Sequence, residues 1–165
     1  MDLFEEYLTE IKLRKEQGLS AKPIDNGDLA HEIITHVKSQ NSKYHDKCVD
    51  FLIFNMLPGT TKAAGEKAEF LKQIISGIYQ IDKVSIDRAF ELLSHMKGGP
   101  SIKVLIDLAL SSDKIISEKA AEVLKTQVFL YEADTARLIS AYRDNSSIAE
   151  SILKSYSKAE FFTKL

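Results

Sequence analysis

The chain has 165 residues, of which 44% are hydrophobic and 28% charged, proportions typical of a soluble globular protein with a genuine core. Its net charge of −2 gives no electrostatic reason to expect nucleic acid, which usually selects a basic surface. With no apolar run of about 18 residues, no basic leader and a lone Cys48, we expect a cytoplasmic protein without a membrane span, signal peptide or disulfide.

Nearly every segment has the hydrophobic spacing of an amphipathic helix. The first predicted helix carries apolar residues over 4–11 on one face and ends at Gly18. An irregular connector follows over 19–27, and either Asp25 or Asn26 is placed to cap the next helix.

The next three helices are predicted from their apolar stripes. Residues 29–37 form the second stripe, and the third helix, about 43–57, is apolar on most sides. We therefore expect the third helix to lie in the middle of the fold. Pro58-Gly59-Thr60-Thr61 ends it, a fourth stripe runs over 70–78, and Ser85 is predicted to cap the fifth helix.

A Lys-Gly-Gly-Pro corner, residues 97–100, is predicted to end the fifth helix and start the sixth as a helical hairpin. Gly98 and Gly99 are predicted to adopt the positive φ that ends a helix, and Pro100 suits the first turn of a new one. His95 is interpreted as a cation that caps exposed carbonyls, in preference to one that contacts an anion. The corner is either a plain turn or, because another backbone can approach it closely, an interdomain contact.

After the corner, residues 102–110 form a nearly all-apolar run, for which a helix is favoured over a buried strand. A long helix is predicted over 115–131, followed by shorter ones around 136–142 and 148–156. The fold class is all-α, with about eight or nine helices. The breaks at Leu57-Pro58-Gly59 and at the corner lie 40 residues apart. That spacing suggests HEAT-like stacked antiparallel helix pairs, an α-solenoid-like arrangement, although any helical bundle also has breaks.

Candidates for catalysis or metal binding are few. His45 and Cys48, at i and i+3, share a predicted helix face, but two ligands do not make a zinc site. We interpret them as a solvent-facing histidine beside a small buried cysteine. His31 and His36 lie on diverging faces of their helix. No phosphate loop, nucleophile elbow or paired Cys-x-x-Cys occurs, so we assign no catalytic, cofactor-binding or metal-binding residue.

Several segments match one known family in order and spacing. They are Glu5-Glu6-Tyr7, 18–25, Leu57-Pro58-Gly59, 67–71, 89–93, 96–100, 105–107 and 159–162. On these residues the chain resembles the N-terminal domain of aconitase B, the bacterial bifunctional aconitate hydratase and 2-methylisocitrate dehydratase. The resemblance covers essentially all 165 residues.

The resemblance implies a HEAT-like domain that precedes a swivelling domain and catalytic domains. We therefore expect residues 1–165 to be one domain excised from a longer enzyme, a lyase that isomerises citrate and isocitrate via cis-aconitate. The domain's implied role is non-catalytic, in protein–protein contact, dimerisation and substrate access. The 4Fe–4S cluster of the parent is implied to lie outside this chain, because Cys48 alone cannot hold one. Interdomain contact is expected at Lys97, Gly98, Gly99 and Pro100.

The remaining domains of the parent are the expected partners, a homodimer is a further option, and no membrane partner is expected. Aconitase B-like proteins are also implicated in binding messenger RNA, a role to which the acidic balance gives little support. The alternative is a free-standing helical-repeat scaffold that binds a protein. Phe161 and Phe162 either fold back into the core or lead into a further segment.

Overall fold

The computed structural model describes residues 2–127 and 130–158. Over these residues the chain forms nine α-helices, and its two isolated β-bridges do not extend into strands. The helices are α1 (Leu3–Glu16), α2 (Gly27–Lys38), α3 (His45–Phe54), α4 (Lys62–Ile75), α5 (Ile86–Met96), α6 (Gly99–Ala109), α7 (Lys114–Lys125), α8 (Glu132–Arg143) and α9 (Ser147–Ser157). Within the same ranges, no helix has the length and apolar character needed to cross a membrane. The predicted all-α class is confirmed.

The helices pack as hairpins that stack on one another. Helix α2 packs on α3, α4 on α5, α6 on α7 and α8 on α9. Between hairpins, α4 contacts both α2 and α6, and α6 contacts α8, while α7 contacts both α5 and α9. Helix α1 packs against α2 at the start of the stack. This contact pattern is typical of helical repeats; the HEAT-like, solenoid-like form of the stack stays a prediction.

Side-chain caps explain where several helices begin. The Asn26 side chain accepts a hydrogen bond from the Leu29 N–H (3.0 Å), and the Ser85 hydroxyl oxygen accepts one from the Arg88 N–H (3.1 Å). Both positions were predicted as caps. Four further helices are capped in the same way, by Asp2, Thr61, Asp113 and Ser146. Each cap pairs a backbone donor that the first turn of a helix leaves free.

The core lies between the stacked hairpins, and α6 is its most buried helix. Ile102, Leu105 and Ile106 are fully buried, so the apolar run after the corner is a helix, as predicted. Helix α3 differs from the prediction, because it packs mainly on α2 in the first hairpin of the stack. Its last residue, Phe54, is 74% exposed.

The prediction of one long helix over 115–131 is wrong. Helix α7 ends at Lys125, and Gln127 turns back so that its amide nitrogen donates to the Ser94 carbonyl of α5 (3.2 Å). Tyr131 instead precedes α8 as its N-cap residue, and its N–H donates to the Asp134 carboxylate (3.2 Å). Both bonds would be lost if the helix continued. Helix α8 consequently starts at 132, earlier than the 136 expected from the apolar pattern.

The predicted stripe of α4 is too long at its end, and two other predictions fall on residues that the structure does not describe. Helix α4 ends at Ile75, and Gly77 beyond it has a φ of 78°, so Ile78 leaves the predicted stripe and is exposed. The family segment at 159–162, including Phe161 and Phe162, lies outside the described residues, as does Val128.

Candidate functional site

The corner between α5 and α6 differs from the prediction at its glycines. Lys97 has the left-handed conformation (φ 54°), whereas Gly98 is extended (φ −138°) and Gly99 begins α6. Pro100 lies in the first turn of α6, as predicted. The Gly98 N–H donates to the Ser101 hydroxyl oxygen (3.3 Å), and that hydroxyl donates to the Gly98 carbonyl (2.9 Å). Glycine is therefore not used here for a positive φ.

The two corner glycines provide space for neighbouring parts of the chain. A Cβ at Gly98 would lie 2.3 Å from the carbonyl oxygen of Gly59, and a Cβ at Gly99 would lie 3.1 Å from the Tyr131 ring. The Gly59 N–H also donates to the Met96 carbonyl (3.1 Å). The close backbone approach expected at the corner is thus made by Gly59 of the same chain. Contact between residues 97–100 and another domain stays a prediction.

These contacts belong to one edge of the stack, where the connectors between hairpins meet. Ile24 and the segment before α4 are joined by two bonds, from the Ile24 N–H to the Asn55 carbonyl and from the Leu57 N–H to the Ile24 carbonyl, both 2.8 Å. We call this surface the connector edge; it comprises residues 17–26, 55–61, 97–98, 126–127 and 130–131. The two sequence breaks 40 residues apart therefore touch.

Apolar side chains are exposed on and beside the connector edge, next to a cation. Leu57 is 36% exposed and Tyr131 is 43% exposed, and Phe54 immediately precedes the edge. Lys97 is exposed between the connectors that carry Leu57 and Tyr131. The sequence did not indicate Tyr131 as a surface residue of this edge, because Tyr131 was assigned to the end of the long helix over 115–131. A surface that exposes aromatic and aliphatic groups suits protein contact.

Ion pairs join the helices of the layer formed by α2, α4, α6 and α8. His31 lies 3.4 Å from Glu66, which joins α2 to α4. Asp107 of α6 pairs with Lys72 of α4 (3.0 Å) and with Arg137 of α8 (2.7 Å). Burial raises the pKa of Asp107, but hydrogen bonds from Lys72 and Arg137 outweigh it and hold the pKa below its usual value. These charges therefore serve packing between hairpins.

Lys67 of α4 is a buried lysine, only 5% exposed. Its ammonium donates to the Ile53 carbonyl near the end of α3 (3.4 Å). Burial, and to a smaller extent the charge of Arg88, lowers the pKa of Lys67 to about 8. Lysine commonly caps the free carbonyls of a helix C-terminus, so its role here is structural.

The residues considered as metal ligands are not assembled into a site. Cys48 is fully buried, and burial raises the pKa of its thiol to about 12, which disfavours the thiolate that binds metal. Within residues 2–127 and 130–158, no group of three His, Cys, Asp or Glu side chains is placed to hold a metal ion. A 4Fe–4S cluster needs several thiolates, and the chain has one cysteine. This chain alone does not fit that cluster.

The other histidines have separate environments. His36 hydrogen-bonds to the Ser42 hydroxyl (2.8 Å), and His31 faces Glu66, so the two diverge as expected. His95 is in the last turn of α5, where a cation interacts favourably with the helix dipole.

Comparison with known proteins identifies the relatives of this chain. A family model described as the Aconitate B N-terminal domain matches residues 6–162. Aconitate hydratase B of Helicobacter pylori is 29% identical over 161 residues, which are 98% of this chain and 18% of that protein. The enzymes of the same name from Pseudomonas aeruginosa and Escherichia coli are each 28% identical over 160 residues, which are 97% of this chain and 18% of each of those proteins. The chain thus spans less than a fifth of these relatives.

Proposed function

Because the chain belongs to the Aconitate B N-terminal domain family, we propose that it is a non-catalytic module of an aconitate hydratase B-type enzyme. The role of this module is protein–protein contact, including dimerisation, and substrate access to an active site on other domains. The observation that carries the proposal is the match to an N-terminal domain over residues 6–162. The parent reaction is citrate–isocitrate isomerisation via cis-aconitate, a lyase step of the tricarboxylic acid cycle in the cytoplasm, and its 4Fe–4S cluster belongs to the rest of the parent.

A turnover assay tests the non-catalytic part of the proposal. The purified, metal-free chain is incubated with citrate and with cis-aconitate, with complete H. pylori aconitate hydratase B as the positive control. We expect no turnover by the chain and no citrate or cis-aconitate binding detectable by calorimetry. Turnover by the chain alone would overturn the proposal.

A complementation assay tests domain contact and substrate access. The partner is H. pylori aconitate hydratase B from which the segment matching this chain has been removed, and its circular dichroism spectrum and cooperative thermal unfolding first establish that it is folded. We expect the chain to bind this truncated enzyme and to change its KM for citrate, because the missing wall of the access route is replaced. Sedimentation of the chain alone over a range of concentrations tests dimerisation.

The alternative is a free-standing helical scaffold that binds a different protein, which the exposed apolar groups of the connector edge also favour. It predicts no binding to the truncated enzyme. RNA binding is the less favoured form of this alternative, and it requires an affinity that falls steeply with added salt.

A further inference from the structure

We propose that the connector edge docks on a protein surface that presents a carboxylate to the ammonium group of Lys97. The proposal rests on the proposed function, from which it takes the partner: the part of an aconitate hydratase B-type enzyme that follows the N-terminal domain. Lys97 is the residue of this chain that anchors the contact, and a carboxylate is the group that the partner supplies.

The backbone of Lys97 has a left-handed conformation that lysine rarely adopts. Among the described residues, positive φ occurs at Gly18, Gly59, Gly77, Asn145 and Lys97. Glycine adopts this region freely, and asparagine is enriched there because its short polar side chain bonds locally. Lysine has neither property. The chain therefore keeps a long cationic side chain at a helix end where glycine would relieve strain, and such strain is often retained for function.

The surroundings of Lys97 fix its backbone but leave its side chain available. The preceding Met96 is buried, and its carbonyl accepts the Gly59 N–H (3.1 Å). The following Gly98 packs directly on the backbone of Gly59. Lys97 itself is exposed, and no ion pair or hydrogen bond to its ammonium occurs within residues 2–127 and 130–158. Because the backbone of Lys97 is already held in place, binding through its ammonium orders only the side chain.

Neighbouring side chains define the chemistry of the partner. Gly98 touches Gly59, two residues after the half-exposed Leu57, and the ring of Tyr131 lies against Gly99. Lys97 therefore belongs to the connector that lies between the one carrying Leu57 and the one carrying Tyr131. The attraction between a cation and a carboxylate is stronger where apolar contacts exclude water. The group that complements Lys97 is therefore a carboxylate within an apolar protein surface.

Three variants and one partner test this proposal. Lys97→Gly removes both the strain and the cation, and Lys97→Glu reverses the charge. Lys114→Glu is the matched control, since Lys114 is an exposed lysine at the start of α7, away from the connector edge. The partner is the truncated H. pylori enzyme defined above, and the measurements are its Kd for each variant and the Tm of each variant.

We expect Lys97→Gly to raise the Tm by a few degrees while weakening the binding about tenfold. Lys97→Glu is expected to weaken binding further, about a hundredfold, and Lys114→Glu to leave the Kd within about twofold. The wild-type Kd is expected to rise with salt concentration more steeply than that of Lys97→Gly.

The outcomes separate this inference from the proposed function. If the wild-type chain fails to bind the truncated enzyme, the proposed function and the inference both fail. If the wild-type chain binds and the Lys97 variants bind equally well, the domain contact stands and the Lys97 anchor is wrong. A lower Tm for Lys97→Gly would contradict the strain on which the inference depends. Binding of RNA in place of the truncated enzyme would show that the partner class is wrong.

Discussion

Lys67 is a buried lysine whose one described hydrogen bond goes to a carbonyl, at 3.4 Å, rather than to a carboxylate. Burial lowers its pKa from 10.5 to about 8, so the folded protein releases this proton more easily than the unfolded chain does. Between these two values the unfolded chain binds more protons. The free energy of unfolding attributable to Lys67 therefore rises with pH above about 8.

Replacing Lys67 by methionine removes this titration while keeping the length of the side chain. Relative to Lys67→Met, we expect the wild type to gain about 2 kcal/mol of stability between pH 8 and pH 10. Urea unfolding of both proteins at several pH values measures this difference, in which the tyrosines and other lysines cancel. A stability difference independent of pH would show that Lys67 titrates normally in the fold. Lys103→Met, at an exposed lysine of α6, should show no such dependence.

Gly98 provides a second prediction for a single residue. Gly98→Ala should destabilise the chain by about 2–4 kcal/mol, because its Cβ would overlap the Gly59 backbone, which cannot move aside as a flexible side chain can. Gly65→Ala is the matched control: it lies inside α4 with open space around its Cβ, and it should stabilise by about 0.5–1 kcal/mol. Thermal or urea unfolding measures both. Equal stability of Gly98→Ala and wild type would mean that the two connectors are not in close contact.

Among the elements, those with a strong apolar period and a polar cap could be predicted from sequence. The caps at Asn26 and Ser85 and the helix over the 102–110 run are examples. The end of α7 could not be predicted, because Gln127 leaves the helix to bond to Ser94, 33 residues away. The local sequence pattern contains no information about a partner so far away along the chain. At this point the tertiary contact overrides the helix propensity of the sequence.

The corner between α5 and α6 was predicted in position but not in backbone geometry, and its contact with another domain stays a prediction. Residues 97–100 do form the corner, yet the positive φ falls on Lys97 and the space at Gly98 is filled by Gly59. Sequence rules assign positive φ to glycine by default, and they do not show which glycine faces another backbone. Whether a glycine supplies a positive φ or leaves space for another backbone becomes clear only from the stacking of the hairpins, which brings the two breaks together.

Asp107 allows the contacts between stacked helices to be tested. Asp107→Asn should lower the free energy of unfolding at pH 7 by about 1–2 kcal/mol, because one partly buried carboxylate serves both Lys72 and Arg137. Since the folded pKa of Asp107 is lowered, its contribution is present above the unfolded pKa of about 3.9 and is lost as the pH falls through the folded value.

Urea unfolding at pH 7 and at acidic pH checks this prediction for Asp107. The wild type and Asp107→Asn should differ at pH 7 and converge in acid. Glu122→Gln removes an exposed pair with Lys125 and serves as the control, with an expected effect below about 0.5 kcal/mol. A difference that persists in acid would attribute the effect of Asp107→Asn to packing and not to charge.

On the scale of the whole molecule, the stack has two different kinds of surface. On the layer of α2, α4, α6 and α8, Asp107 is matched between helices by Lys72 and Arg137, and Glu66 faces His31. The connector edge carries Lys97 without such a match and exposes Leu57 and Tyr131. This contrast is the reason to place protein contact at the connector edge and not on the ion-paired layer.

The stack also predicts where the molecule opens first. Helix α6 buries seven residues between neighbouring hairpins, whereas α8 buries only Asp134 and Leu138, at the end of the described stack. Because each hairpin is held by its neighbours, we expect the pair α8–α9 to have a lower local stability than α6. We expect amide hydrogens of α8 and α9 to exchange at least about a hundredfold faster than those of α6, as measured by NMR.

Tyr156→Phe sharpens this prediction for the terminal hairpin. The Tyr156 hydroxyl donates to the Gln127 carbonyl (2.9 Å) and ties α9 to the end of α7. Its removal should speed exchange in α8 and α9 by about fivefold, equivalent to about 1 kcal/mol, and leave α2 and α4 unchanged. Equal acceleration in all helices would mean that the stack opens as one cooperative unit. The hairpins would then not be the independent steps of opening that their nearest-neighbour contacts indicate.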